Sequence, residues 1–191
     1  MTFTSEDRAA LTALLEAHHP ASEIEARHLT SIREFVDRTD DPFDRGVVEG
    51  HLTGSAFVLD SDERMLLTHH RKLGLWLNLG GHAESERRAG AVAMREATEE
   101  SRLSDLVFDP RLLDATGEPR LLDVDVHAIP ERKGEPEHWH FDLRFLIRTL
   151  SPERAVADPS ESKGLEWLPL DAAVERGDGS MGRGIARIRA L

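Results

Sequence analysis

Residues 80–101 read GGHAESERRAGAVAMREATEES, two glycines and a histidine ahead of an alanine-rich run that closes on REATEE. The composition from Ala89 onward predicts a helix over 88–101, and on a helix Glu96, Glu99 and Glu100 fall within an arc of about 100°. Like charges so close cost a few tenths of a kcal/mol per pair unless something offsets them. Solvent, a neighbouring arginine or a divalent metal could do so. Gly80 and Gly81 permit a tight turn and close backbone approach. Ala89, Val92, Ala93 and Ala97 form a face suited to packing on a sheet, which leaves the glutamates free to point elsewhere. Hard cations such as Mg²⁺ take oxygen ligands and share them with substrate phosphates. The plainer reading is a solvated helix end with an ordinary Arg95–Glu99 pair.

The pattern on either side of this run fixes the fold class. Leu11, Leu14 and Leu15 lie at helical spacing before Pro20. Ser22 and Glu25 make a capping-box pattern, followed by an apolar face of Ile24, Leu29, Ile32, Phe35 and Val36. DRTDDPFDRG (37–46) breaks that pattern and reads as a loop. Residues 1–45 are thus expected to be an N-terminal helical hairpin laid on a main domain, 46–191. In that domain GSAFVLD (54–60), RMLLTHH (64–70), LLDVDVHAIP (121–130) and WHFDLRFLIRT (139–149) read as strands. GLEWLPLDAAVERG (164–177) suggests a strand entering a short helix with Asp171 as N-cap, and a basic helix with Arg183, Arg187 and Arg189 ends the chain. Strands interrupted by helices in this uneven order imply an α/β fold with a mixed sheet covered by helices.

The chain carries no cysteine and a net charge of −12. Thiolate zinc sites, disulfides and cysteine nucleophiles are therefore excluded, and a cytoplasmic location, which the lack of cysteine fits, is the expectation. The acidic balance disfavours a nucleic-acid polymer as partner. It allows a small phosphorylated substrate if cations stand between the carboxylates and the phosphates. No apolar run approaches 18 residues, so no membrane association is expected.

The run at 81–103 resembles the Nudix box, G-x5-E-x7-R-E-U-x-E-E-x-G-U with U apolar. Gly81 matches the first glycine, Arg95 and Glu96 the RE pair, Glu99 and Glu100 the EE pair, and Ala97 and Leu103 the apolar positions. GLWLNLGGH resembles the strand ahead of the box, and LEWLPLDAA a later segment of such proteins. Two positions depart from the pattern. Arg87 stands where a glutamate is expected, with Glu86 one place early, and Arg102 replaces the late glycine. The resemblance implies a Nudix-type α/β/α sandwich and Mg²⁺- or Mn²⁺-dependent hydrolysis of a pyrophosphate bond. The substrate would be a nucleoside diphosphate derivative, of the nucleotide-sugar or nucleoside triphosphate class. Glu96, Glu99 and Glu100 would then be metal ligands, and Arg95 would hold the loop and the glutamates in place. A nucleotide-binding or regulatory module that has lost turnover is the alternative. A related branch of the fold isomerises allylic diphosphates, typically with a cysteine, which this chain lacks.

Further residues are candidates for substrate binding. His138, His140 and Asp142 alternate, so a strand directs all three to one face, where they could meet phosphate, sugar or metal or simply form a polar face. Gly80, Gly81, His82 and Glu84 lie on the glycine turn and its loop, and Glu161 lies where some Nudix enzymes place a base. His69, His70, Trp76 and Trp167 read as packing or surface residues. Many members of the family pair, so a homodimer is a further expectation.

Overall fold

The computed structural model describes residues 2–132 and 134–191. Helix α1 (Ser5–Glu16) starts at a full capping box, with Thr4 and Asp7 satisfying each other's backbone N–H groups. Helix α2 (Glu23–Arg38) starts at Ser22, which accepts the Glu25 N–H at 3.2 Å. The reciprocal half of that box is missing. The Glu25 carboxylate accepts instead from the Ala21 N–H at 2.7 Å and meets His18 Nε2 at 2.8 Å. Ile24 is 49% exposed and leaves the apolar face, which consists of Leu29, Ile32, Phe35 and Val36.

The remaining elements are β1 (Gly50–Leu59), β2 (Met65–His70), β3 (Trp76–Leu77), β4 (Leu79–His82), α3 (Ala89–Ser101), β5 (Val107–Phe108), β6 (Asp123–Ile129), β7 (His138–Arg148), β8 (Ser162–Leu168), α4 (Leu170–Arg176) and α5 (Met181–Arg189). Pro169, not Asp171, is the N-cap of α4. Asp171 lies in the first turn, where it pairs with Arg189 while its charge favours the helix N-terminus. Among the described residues no helix is long and apolar enough to cross a membrane.

At the centre of the mixed sheet β1 and β7 run parallel, in register from Gly50↔Trp139 to Leu59↔Arg148. The other edge of β1 is shared. Antiparallel β4 pairs from Thr53↔His82 to Ala56↔Leu79, and β2 joins at Leu59↔Met65. Strand β7 is shared likewise, by β6 and β5. Because side chains alternate, each central strand serves two faces. Leu52, Val124, Phe141, Leu143 and Phe145 pack with Val92 and Ala93 of α3 and with Leu11, Leu29, Ile32 and Phe35 of the helical hairpin. A side chain at position 54 would collide with α3, since a Cβ there would stand 2.8 Å from the Ala89 carbonyl oxygen. On the opposite face Phe57, Leu59 and Leu146 pack with Met181, Ile185 and Ile188 of α5. Helices thus cover both faces, giving the α/β/α sandwich.

Along that second face the register lines up polar residues in rows. His51, His140 and His127 form one row, Thr53, Asp142 and Asp125 the next, and Ser55, Arg144 and Asp123 a third. Arg144 is 3% exposed and reaches Asp142 at 2.8 Å and Asp123 and Asp125 at 3.1 Å each. Arg183 of α5 adds contacts to Asp123 and Asp125. Burying so many charges is tolerable only because each is paired and hydrogen-bonded.

Candidate active site

The glycine turn and α3 are built against each other. A Cβ on Gly81 would lie 2.7 Å from the Glu96 carboxyl carbon, and one on Gly80 would lie 2.2 Å from Ser55 Cβ. Glycine at both positions therefore lets β4 pack against the Glu96 carboxylate on one side and Ser55 of β1 on the other. The Gly80 N–H donates to Glu100 Oε1 at 3.3 Å. Glu96 and Glu100 are 8% and 6% exposed, and one oxygen of each lies within 4.8 Å of a carboxylate oxygen of the exposed Glu161. Burial is the main cause that pushes Glu96 up to about 7, Arg95 opposing it and Glu99 and Glu161 adding to it. Burial also pushes Glu100 up to about 8, with Glu96, Glu161 and Asp158 contributing, against the Gly80 N–H. Three converging carboxylates with so little compensation form an oxygen donor set that suits a hard divalent cation.

Arg95 organises the approach. It reaches Glu86 at 2.6 Å, Glu99 at 2.7 Å, Glu96 at 3.0 Å and the His82 carbonyl at 2.5 Å. Glu86 thus contacts Arg95 from one position earlier than the box pattern. Arg87 turns away, donating to Asp41 at 2.9 Å and to the Glu84 and Glu86 carbonyls. Glu99 stands apart from Glu96, Glu100 and Glu161, exposed and paired with Arg95. Arg102 adopts the left-handed conformation, φ 58°, that the absent glycine would take, and its N–H closes on the Thr98 carbonyl at 2.8 Å. Its guanidinium holds Asp158 at 2.7 Å. With the Val156 N–H on the Ser101 carbonyl at 2.8 Å, this straps the loop that carries Glu161 to the end of α3.

The substrate-binding candidates separate into groups. Glu84 is exposed at φ 49°, away from the carboxylate cluster. Asp142 shares a face with His138 and His140, but its oxygens accept from Thr53 at 2.9 Å, Ser55 at 2.7 Å and Arg144 at 2.8 Å. His82, His138 and His140 come together with His51, which the sequence reading passed over. The signal for His51 is the parallel register that sets it opposite His140, and a single sequence does not display that register. Burial first, then repulsion from the other rings of the cluster and, for His51 and His82, from Arg45, holds His51 down to about 4, His82 to about 3 and His140 to about 2. A cavity of about 890 Å³ between α1, α3 and the 114–120 loop includes none of the three clustered glutamates.

The NUDIX domain family model matches residues 51–188. A search of curated proteins finds no match. Among solved structures, a NUDIX-family hydrolase from Clostridium perfringens is 26% identical with a TM-score of 0.53, covering 74% of this chain and 97% of its own. The Ap4A hydrolase of C. elegans, in a binary complex, is 16% identical with a TM-score of 0.56, covering 73% and 95%. The dihydroneopterin triphosphate pyrophosphohydrolase of E. coli is 18% identical with a TM-score of 0.52, covering 71% and 92%. With the box geometry in place and the family model spanning most of its length, the chain belongs to the Nudix family of pyrophosphohydrolases.

Proposed function

We propose that the protein hydrolyses a pyrophosphate bond in a small nucleoside diphosphate derivative, of the nucleotide-sugar or nucleoside triphosphate class, with Mg²⁺ or Mn²⁺. The observation that carries this reading is the convergence of Glu96, Glu100 and Glu161 beside the glycine turn. These three would hold the metal. When bound, the cation would neutralise the phosphate charge and assist the attack of water. Glu99 and Glu86 act through Arg95, fixing its guanidinium against Glu96 and the His82 carbonyl. A bound cation would offset the burial and mutual repulsion that raise the proton affinity of Glu96 and Glu100 in the metal-free protein. Gly80 and Gly81 bring the β4 backbone against the carboxylates, where a diphosphate would meet it, and His82, His138 and His140 line the opposite face of the sheet.

A panel of nucleoside diphosphate sugars, dinucleotides and triphosphates, assayed with Mg²⁺ and with Mn²⁺, tests this reading. The expected result is metal-dependent turnover of at least one class, lost in Glu96→Gln and Glu100→Gln. Undiminished turnover in both variants would remove the carboxylates from the reaction.

A further inference from the structure

The histidine cluster lies on the face of the sheet opposite the glutamates. His51 is 3% exposed, and neither of its ring nitrogens has a hydrogen-bond partner among the described residues. Folded proteins seldom leave a buried imidazole in that condition without a ligand or ordered water to complete it. One ring nitrogen each of His51, His138 and His140 lies within 4.8 Å of the other two. Nε2 of His82 stands 3.3 Å from Nε2 of His140. Two nitrogens at ~2.0–2.1 Å from one tetrahedral ion are separated by roughly the same distance. The Nδ1 of His138 lies 2.9 Å from the Pro136 carbonyl, a contact that fixes the ring and leaves Nε2 to ligate. His127, the remaining histidine of the row, is engaged by Asp125 at 3.0 Å.

We propose that His51, His138 and His140 form a metal site distinct from the glutamates, with His82 beside it at His140. An all-imidazole donor set selects a borderline transition ion of the Zn²⁺ class over Mg²⁺. Strand alternation separates the two centres. At position 81 β4 faces Glu96 on α3, and at position 82 it faces the opposite side, towards His51 and His140. The site ties together the beginnings of β1 and β7, against which the end of β4, the strand that carries the glycine turn, packs through His82. Three imidazoles leave the fourth position of a tetrahedral ion open, and an ion held there would fix the starts of β1 and β7 beside that turn.

The test is Zn²⁺ titration of the chelator-treated, dialysed protein by calorimetry, with Co²⁺ as a spectroscopic probe of tetrahedral nitrogen ligation. The expected result is one tight equivalent, retained in the Glu96→Gln/Glu100→Gln variant and weakened at least tenfold in His51→Ala and His138→Ala. Because His138 is only half-buried, its variant keeps the fold, as circular dichroism would verify, and its Co²⁺ spectrum should lose tetrahedral character. Zinc binding unchanged in both histidine variants would overturn the site. So would failure of the folded wild-type protein to bind zinc, or binding lost only in the glutamate variant. None of these measurements depends on turnover, so they stand apart from the hydrolase assay.

Discussion

Glu100 carries a conflict between stability and chemistry. Burial raises its proton affinity above that of an unfolded glutamate, with the charges of Glu96, Glu161 and Asp158 adding to the effect. A carboxyl group whose folded pKa is raised contributes stability that is complete below the unfolded value, near 4.5, and is lost as the pH rises through about 8. The metal-free protein should therefore weaken across that interval, and Glu100→Gln should remove this part of the pH dependence. At pH 7 the variant is expected to be more stable than wild type in chelator, by roughly 1–3 kcal/mol. Its kcat/KM should fall on the order of 100-fold, the scale for losing a group that stabilises reacting charge. Thermal melts at pH 5 and 8, beside initial rates, check both halves. A lower melting temperature for Glu100→Gln at pH 8 would show the carboxylate to be structurally required instead. The displaced box residues offer a second test. Exchanging the pair, Glu86→Arg with Arg87→Glu, restores the order of the family pattern yet breaks both the Glu86–Arg95 and Arg87–Asp41 contacts. Because Arg87 is largely buried, the exchanged protein is expected to lose about 1–3 kcal/mol of stability, read by urea denaturation, and to turn over more slowly. A gain in rate would mean that the pattern outweighs the local pairing.

Between α3 and the loop that follows β7, one residue does two jobs that pull in opposite directions. Arg102 occupies a left-handed conformation that costs a non-glycine residue about 1 kcal/mol, while its side chain ties Asp158 to the helix end. Arg102→Gly relieves the first and loses the second, so its stability should stay near wild type. Arg102→Ala keeps the strain without the tie and should be about 1 kcal/mol less stable than Arg102→Gly in chemical denaturation. Both variants should raise the metal concentration needed for half-maximal rate, because the Glu161 loop is less firmly held. Equal stability of the two would show that backbone strain is absent at this position. Elements of this kind mark how far the sequence could be read. The helix of the box, the central strands and the glycine turn are legible because their signals are local: alanine and valine spacing, apolar runs, paired glycines. The contacts of Glu25 and the partner of Arg87 are not, because each depends on a segment distant in sequence or on a choice among equivalent acceptors. The candidate site divides in the same way. Glu96 and Glu100 are one turn apart on one helix, whereas Glu161 reaches them only through the strapped loop and His51 only through the parallel register of β1 and β7.

At the scale of the whole molecule the helical hairpin lies inside the architecture, although the box and sheet read as complete without it. Phe35 of α2 stacks on Phe141 of β7 with ring centroids 4.2 Å apart, and Phe35 and Phe43 are fully buried in the cluster that includes Leu52, Val92 and Phe145. Polar ties reinforce the layer: His28 meets Asp125 at 3.3 Å, Arg187 of α5 meets Glu25 at 3.4 Å, and Asp41 receives Arg87 from the box loop. Removing residues 1–45 would expose the apolar face of β6 and β7 and leave Asp125 and Arg87 without those partners. The truncated chain, 46–191, is accordingly expected to be insoluble or to lack a cooperative melt. A milder variant separates packing from chain length: Phe35→Ala keeps the hairpin and should cost about 3–5 kcal/mol by the loss of a stacked, fully buried ring. Because Asp41 links the hairpin to the box loop through Arg87, that variant should also lower activity at temperatures below its own melting transition. A truncated protein that melts cooperatively and retains wild-type kcat would show the sheet and box to be self-sufficient. In that case Phe35→Ala would cost little, since the layer it anchors would be an accessory to a core already closed.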